Sequence, residues 1–477
     1  MAWPLWHEAA PMDAPTATEG LLDRALRRVT SLWRDLSERA PRSDTPPDLA
    51  ARMRACLEGK GGAVSARARA AGLAQSYVQA DAAGRREFLR TLASFDADPA
   101  LVRREAEALI AASDPAEETA AKARLRRVLE PPRLRLLTQF TTIPDGVKFL
   151  VDMRAELARM MAGDALLSAL EADLKALLAA WFDVGFLELR RIDWNSPAAL
   201  LEKLVAYEAV HKIRTWRDLK NRLDSDRRCY AFFHPRMPDE PLIFVEVALT
   251  EGLADSIQRL LDEKAPVLDP RRADTAIFYS INNCQRGLDG IAFGDFLIKR
   301  VVEVLGAELR NIKTFATLSP IPGFRDWLAE REQAADDTLL TEAEAAQLRK
   351  LAGAAPTTHP TAALSMLLAH RGWPREAAIA RGLEPVLTRL CARYLLQESA
   401  RNPKRARDPV AHFHLSNGAR IERLNWLADV SGKGLAESAG MMVNYLYDLS
   451  RIEEQHEEYA GEGKRAASPA VRKLLKA

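Results

Sequence analysis

Cysteine is scarce in this sequence, and its placement argues against a disulfide or metal framework. The chain has four cysteines in 477 residues. They are Cys56, Cys229, Cys284 and Cys391, and their spacings match neither a metal-binding motif nor a disulfide framework. Dispersed thiols of this kind are typical of a reducing compartment.

Net charge, long apolar runs and sorting signals are also lacking. Lys and Arg total 68 against 66 Asp and Glu, which leaves a formal charge of +2. This balance does not indicate a nucleic-acid binder, and no apolar run reaches membrane-spanning length. The N-terminus lacks the basic start and apolar core of a secretory signal, and residues 473–477 are not a peroxisomal ending. We therefore expect no nucleic-acid or membrane partner and predict a cytoplasmic location.

The first third of the chain has a helical composition. Residues 21–181 are rich in Ala, Leu, Arg and Glu, with apolar residues in amphipathic runs. The longest run, 149–178, is interrupted near Gly163. We predict an all-helical domain at residues 1–180, and its apolar stripes favour self-association.

The remaining chain mixes strand and helix signals. Runs rich in β-branched and aromatic residues occur at 230–234, 242–249, 275–283 and 313–318. Helical segments alternate with them, which predicts a mixed sheet with helices on its faces. The fold class is therefore α plus α/β, with an α/β domain at residues 181–477.

A rigid corner follows the run at 313–318. Ser319 stands there and is followed by Pro320 and Pro322. Proline fixes its own φ and pushes the preceding residue out of the helical region, so the corner holds the Ser319 side chain in one place. Because strand ends carry ligand sites in open α/β sheets, Ser319 is a candidate functional residue. The alternative is that Ser319 only caps a helix beginning near Arg325.

A glycine-rich loop precedes this corner. It spans 285–294 and joins the predicted strand 275–283 to an apolar-periodic helix at 295–309. Unpaired N–H groups and the dipole at a helix start favour phosphate, and glycines let the backbone approach it closely. The loop has neither the ending of a P-loop nor the spacing of a dinucleotide fingerprint. It resembles the coenzyme A loop of the GNAT acyltransferase fold.

Two histidines lie close together in residues 408–419. His412 and His414 alternate with apolar residues, so we predict a strand on which both face the same side. No Cys, Asp or Glu cluster nearby completes a set of metal ligands, and we expect no metal. The pair is interpreted as a hydrogen-bonded surface pair or as one catalytic histidine with a bystander.

Taken together, these segments resemble the malonyl-CoA decarboxylase family. The resemblance rests on blocks that recur in order between Tyr230 and Tyr447. They are Phe-His-Pro at 233–235, Pro-Leu-Ile-Phe-Val-Glu-Val-Ala-Leu-Thr at 241–250, Ala-Ile-Phe-Tyr-Ser at 276–280, Gly-Leu-Asp-Gly at 287–290, Phe-Leu-Ile-Lys-Arg-Val-Val at 296–302, the corner at 318–324, the histidine segment at 408–419, Asn-Trp-Leu-Ala-Asp-Val-Ser at 425–431 and Asn-Tyr at 444–445.

The resemblance implies a GNAT-like domain that converts malonyl-CoA into acetyl-CoA and carbon dioxide, without cofactor or metal. It implies that Ser319 and His414 are catalytic and that His412 is a bystander. Residues expected to bind malonyl-CoA or CoA are Ser280, Asp289, Gly290, Ile291, Ala292, Phe293, Gly294, Asp295, Asn417 and Tyr447. The family often has a carboxylate where this chain has Ala292, so no loop acid receives a catalytic role. We also expect a homo-oligomer, with a tetramer as one candidate.

The chemistry fits these residue types. Loss of carbon dioxide from a malonyl thioester leaves a carbanion delocalised onto the thioester oxygen, which the enzyme must stabilise and then protonate at C2. Histidine can donate that proton, and a serine hydroxyl can hydrogen-bond the departing carboxylate or relay a proton. The residues do not decide which of the two gives the final proton. Two alternatives stay open: a CoA-dependent acyltransferase of the same fold and a non-catalytic helical interaction protein.

Overall fold

The chain begins with a helical region. The computed structural model describes residues 31–37, 48–59, 62–291 and 296–476, and every described element before residue 182 is a helix. After helical residues 31–37 come α1 (Leu49–Leu57), α2 (Ala63–Gln79), α3 (Ala82–Ala93), α4 (Pro99–Ala111), α5 (Pro115–Leu129), α6 (Pro132–Phe140), α7 (Gly146–Met160) and α8 (Ala165–Trp181). The break predicted near Gly163 is confirmed, since it separates α7 from α8.

Aspartate side chains begin most of these helices. At the starts of α1, α3, α4, α5 and α8, a carboxylate oxygen accepts a hydrogen bond from a backbone N–H of the first turn; the residues are Asp48, Asp81, Asp98, Asp114 and Asp164. Each such bond satisfies a donor that has no partner within the helix. The start of each of these helices is thus encoded locally.

An eight-stranded sheet follows. Its strands are β1 (Glu188–Ile192), β2 (Arg227–Phe233), β3 (Ile243–Thr250), β4 (Thr275–Asn283), β5 (Thr314–Thr317), β6 (Ser319–Pro320), β7 (Arg420–Asn425) and β8 (Met442–Leu446). The order is β1-β2-β3-β4-β5-β8-β6, with β7 also paired to β8. Among the strands that the structure describes, only β4 and β5 pair in parallel. The mixed sheet is confirmed, although the predicted runs did not include β1, β6, β7 or β8.

Helices occupy the longer connections between the strands and the segment after β8. They are α9 (Ala198–Tyr207), α10 (Trp216–Arg222), α11 (Ile257–Leu260), α12 (Phe296–Glu308), α13 (Phe324–Gln333), α14 (Glu342–Ala352), α15 (Pro360–Ala369), α16 (Ala377–Gln397), α17 (Pro409–Ser416), α18 (Gly432–Ser438), α19 (Ile452–Glu462) and α20 (Pro469–Lys473). Among the helices that the structure describes, none is long and apolar enough to cross a membrane.

One hydrophobic core joins the helical region to one face of the sheet. Leu150 of α7 and Leu174 of α8 belong to the same buried cluster as Phe278 of β4 and Val301 of α12. Smaller clusters lie on the opposite sheet face, under α9 to α11. Because apolar contact is continuous across the proposed boundary near residue 180, the division into domains stays a prediction.

Polar contacts also fix the glycine loop to the helical region. The buried Arg154 guanidinium of α7 donates to the carbonyl oxygens of Gly287 at 2.7 Å and Asp289 at 3.0 Å. Glu171 of α8 pairs with the same guanidinium at 2.7 Å, so the buried charge is compensated. Gly287 itself lies against α7, because a Cβ there would stand 1.7 Å from the carbonyl oxygen of Val151.

This close approach predicts that Gly287→Ala destabilises the protein. The added methyl group must push the loop off α7, which is an overpacking cost of about 1–3 kcal/mol. Thermal unfolding should show a lowered melting temperature. Gly432→Ala is the matched control, since nothing lies within 4 Å of its Cβ position. Equal melting temperatures for the two variants would contradict the predicted contact.

Candidate active site

Ser319 lies in the short strand β6, directly after β5. The residue pairs with Val443 of β8, and its side chain is 5% exposed. The helix after the corner, α13, has Gly323 as its N-cap residue, and no side chain caps it. The interpretation of Ser319 as a helix cap is therefore wrong, and its hydroxyl is available for other contacts.

His414 lies on a helix, not on the predicted strand. The segment forms α17, which begins with Asp408 as N-cap and Pro409 in the first turn. The Asp408 Oδ1 atom accepts a hydrogen bond from the backbone N–H of Ala411 at 2.9 Å. Aspartate followed by proline is a standard helix start, so a usable signal was present beside the misleading alternation of polar and apolar residues.

The helix separates the two histidines. Successive residues of an α-helix are about 100° apart, so residues two apart face different directions. His412 accepts from the Arg405 guanidinium at 2.9 Å, and its Nδ1 contacts the Tyr459 hydroxyl at 2.8 Å. The expectation that both face one side is wrong. No group of three or more metal-ligating side chains occurs among the described residues.

Ser319 and His414 meet, although 95 positions separate them in the chain. The Ser319 Oγ atom is 3.1 Å from His414 Nε2, and both side chains are buried. The other ring nitrogen, Nδ1, is 2.7 Å from the Tyr447 hydroxyl. The Tyr445 ring stacks on the imidazole, with centroids 4.4 Å apart. Both edges and one face of the imidazole are thus held in place.

Burial determines the charge of this histidine. Removal from water lowers the pKa of His414 from 6.5 to about 3, because the imidazolium would lose its hydration. Among the described residues, no charged side chain hydrogen-bonds to the imidazole. The resting site therefore holds a neutral imidazole between two hydroxyl groups.

Asp408 connects the two halves of the site. One carboxylate oxygen caps the helix of His414, and the other accepts from the Gly323 N–H and the Tyr394 hydroxyl, each at 3.5 Å. Burial raises the pKa of Asp408 to about 6. A single side chain thereby ties the start of α17 to the corner that carries Ser319.

The glycine loop and Ser319 both follow the carboxyl ends of neighbouring strands, at the same end of the sheet. The loop follows β4, and Ser319 follows β5. The two strands are parallel, and Phe278 of β4 pairs with Thr317 of β5. Gly290 has φ +72°, which glycine tolerates, and the Lys175 ammonium would stand 3.2 Å from a Cβ there. Asp289 is held through its carbonyl oxygen, and Ile291 is buried in the core. The other predicted loop residues, Ala292, Phe293, Gly294 and Asp295, lie outside the described residues.

The sheet opens between β4 and β5 next to Ser319. The ladder shared by these strands ends at Phe278 and Thr317, after which only Leu318 N–H donates back to Phe278 O, at 3.0 Å. On its other side β4 continues with β3, through a register irregularity at Tyr279. Beyond Phe278, the backbone of β4 is therefore not paired with β5 on the side of the Ser319 corner.

Three other predicted binding residues occupy different environments. Tyr447 contacts His414, as described above. Asn417 ends α17 and donates to the Phe413 carbonyl oxygen at 2.8 Å. The Ser280 hydroxyl donates to Glu208 at 2.7 Å, in a buried polar cluster with Asn282. The structure does not bring Ser280 into hydrogen-bonding contact with Ser319 or His414, and its substrate contact stays a prediction.

Sequence reasoning missed two residues beside the pair. The Thr317 hydroxyl is 2.8 Å from Ser319 Oγ, and Tyr445 stacks on His414. Thr317 stood in a predicted strand two residues before Ser319, so the alternation of a strand would have placed both side chains on one face. Tyr445 lies on β8, a strand that was not predicted.

Known proteins match most of the chain. The family model for the malonyl-CoA decarboxylase C-terminal domain matches residues 185–477, and that for the N-terminal domain matches residues 95–182. The mitochondrial malonyl-CoA decarboxylase of Rattus norvegicus is 37% identical over 412 residues, which are 83% of this chain and 82% of that protein.

Solved structures agree with these matches. The malonyl-CoA decarboxylase of Rhodopseudomonas palustris aligns with a TM-score of 0.80 at 43% identity, covering 89% of this chain and 98% of that one. The Agrobacterium vitis enzyme of the same name aligns with a TM-score of 0.79 at 41% identity, covering 90% and 99%. Two family models, close relatives and a shared fold agree, and this chain belongs to the malonyl-CoA decarboxylase family.

Proposed function

We propose that Ser319 and His414 carry out the decarboxylation of malonyl-CoA at the corner beside β4. The family assignment makes the chain a carboxy-lyase that forms acetyl-CoA and carbon dioxide. The observation that supports this site is the 3.1 Å contact between Ser319 Oγ and His414 Nε2, beside the buried hydroxyl groups of Thr317 and Tyr447. The comparisons do not favour an acyltransferase or a non-catalytic protein.

Substrate charge explains how a neutral imidazole becomes a proton donor. The malonyl carboxylate brings one negative charge into a site whose histidine is neutral because of burial. An opposite charge at close range stabilises the imidazolium and raises the pKa of His414. The substrate thus recruits the proton that C2 receives after carbon dioxide leaves, and the histidine returns to its neutral form.

Ser319 then acts between the imidazole and the substrate. Its hydroxyl gives a proton to C2 and takes the Nε2 proton of His414, so one C–H bond forms and one N–H bond breaks. The carbanion is stabilised by its own thioester, so the proposed reaction needs no metal or organic electron sink. His414 is the source of the proton in this scheme, and Ser319 is the relay.

The glycine loop and the edge of β4 are the proposed binding surface for CoA. The positive φ of Gly290 and the nearby Lys175 ammonium suit the approach of a phosphate group. The backbone edge of β4 beyond Phe278 can pair with an extended ligand that carries amide groups. The pantetheine arm of CoA has two such amides and would lead from the loop toward Ser319.

Location and assembly belong to the same proposal. The curated relatives carry the word mitochondrial in their names, whereas this chain is predicted to be cytoplasmic. Self-association through the helical region is proposed from its exposed apolar side chains, such as Ile110 on α4 and Leu129 on α5. A homo-oligomer, with a tetramer as one candidate, is the expected assembly.

His414→Ala should lower kcat by roughly 10²–10⁴-fold, the scale of lost acid–base catalysis. Turnover is followed as acetyl-CoA formed from malonyl-CoA. His412→Ala is the matched control from the same helix, and its kcat should change far less because its ring faces Arg405 and Tyr459. Equal losses in the two variants, with zinc bound to the purified wild-type protein, would replace this assignment with a metal site.

Ser319→Ala should lower kcat by roughly two or more orders of magnitude and leave the melting temperature nearly unchanged. Incubation with malonyl-CoA alone, with carbon dioxide and acetyl-CoA measured, tests the site directly. The double variant with His414→Ala should lose little more than either single variant, because the two groups act as one unit. Normal turnover by Ser319→Ala would reject the site, and additive losses would assign the residues to separate steps.

Malonyl-CoA binding should be accompanied by partial proton uptake that grows as the pH falls below 7, because the carboxylate raises the pKa of His414. Affinity should therefore fall as pH rises from 6 to 8, since protons become scarcer. Calorimetry of Ser319→Ala in buffers with different ionisation enthalpies measures this uptake without turnover. Acetyl-CoA, which has no carboxylate, should bind without uptake. Uptake that persists in the Ser319→Ala/His414→Gln double variant would assign the proton to another group.

A further inference from the structure

The Thr317 hydroxyl is the third polar group of the buried pair. Thr317 is 0% exposed, and its Oγ1 atom accepts a hydrogen bond from Ser319 Oγ at 2.8 Å. The same oxygen accepts from the backbone N–H of Tyr445 at 3.1 Å. Tyr445 N–H of β8 thus donates to a side-chain oxygen of β5. In a regular ladder between two strands, this N–H would donate to a backbone carbonyl oxygen.

These contacts fix Thr317 from the side of β8. An amide N–H can only donate, so it always occupies one acceptor position of Thr317 Oγ1. The Thr317 carbonyl oxygen accepts from the Asn444 side chain at 2.6 Å, which restrains the backbone of the same residue. Ser319 Oγ, 2.8 Å away, is the second donor to Oγ1.

The direction of the Ser319 hydrogen bond decides the form of the histidine. When Ser319 donates to Thr317, its oxygen accepts from His414, and the imidazole hydrogen lies on Nε2. Nδ1 is then the acceptor for the Tyr447 hydroxyl at 2.7 Å. If Ser319 donated to Nε2, the hydrogen would lie on Nδ1, because a neutral imidazole carries only one.

We propose that Thr317 is a positioning residue that accepts the Ser319 hydroxyl hydrogen and thereby keeps resting His414 in its Nε2–H form. The proposal rests on the catalytic role of Ser319 and His414. Because Nε2 is already protonated, the proton that is taken up with the substrate binds at Nδ1. Ser319 gives its hydroxyl proton to C2, and the Nε2 proton of His414 then replaces it.

The test is the position of the imidazole hydrogen. Protein labelled with ¹⁵N in histidine is examined by NMR, and the His414 signals are assigned with His414→Gln. We expect the hydrogen on Nε2 in the wild-type protein and in Thr317→Ser. Thr317→Val keeps the shape but removes the acceptor, so the hydrogen should move to Nδ1. A wild-type hydrogen on Nδ1 overturns the proposal without any Thr317 variant, so a variant that fails to fold does not block the test.

Kinetics give the second readout. Thr317→Val should lower kcat by about tenfold with KM within about twofold, and Thr317→Ser should restore kcat. Thr314→Val, a threonine substitution in the same strand, should leave both constants unchanged. A shifted tautomer with normal kcat in Thr317→Val would overturn the positioning role.

The two proposals fail in different ways. Normal turnover by Ser319→Ala rejects the catalytic pair itself. An inactive Ser319→Ala protein, together with a wild-type hydrogen on Nδ1, rejects only the role of Thr317. Thr317→Val also leaves Tyr445 N–H without its acceptor, so a lower melting temperature is expected whatever the hydroxyl does in catalysis.

Discussion

Burial of the His414 imidazole is the constraint on which the site depends. A histidine in water would be partly charged near neutral pH, whereas here the pKa falls to about 3. The neutral ring is positioned by Ser319 and Tyr447 at its two nitrogens and by Tyr445 at its face. In the proposed mechanism the histidine therefore acts as an acid only after a ligand brings negative charge, and the malonyl carboxylate is the ligand proposed to do so. Acetyl-CoA, the product, lacks that charge and would leave the histidine neutral.

Assembly of this site requires three distant segments. The β5–β6 corner supplies Ser319, and α17 supplies His414. Strand β8 supplies Tyr445 and the backbone that holds Thr317, and Tyr447 follows directly after β8. Asp408 joins the first two segments, because its carboxylate contacts both the helix start and Gly323. The burial that raises the pKa of Asp408 also strengthens these hydrogen bonds, since water does not compete for them.

The helical region has a structural part in the same arrangement. Arg154 holds two carbonyl oxygens of the glycine loop, and Gly287 packs directly on the backbone of α7. A loop between strand and helix would otherwise be held only at its two ends. The helical region thus restrains the surface proposed for CoA, in addition to any role in self-association.

Sequence by itself determined the elements that local chemistry encodes. Strand β4 was predicted with its observed bounds, the break between α7 and α8 followed from Gly163, and the prolines after Ser319 marked the corner. The prediction failed at His414, where alternation suggested a strand while Asp408 and Pro409 encoded a helix start. Family resemblance nevertheless singled out Ser319 and His414. Only the tertiary structure decided that they touch, that Thr317 and Tyr445 complete their surroundings, and that the imidazole is neutral. Each of these depends on contacts between segments far apart in the chain and on exclusion of water, which no local pattern of residues specifies.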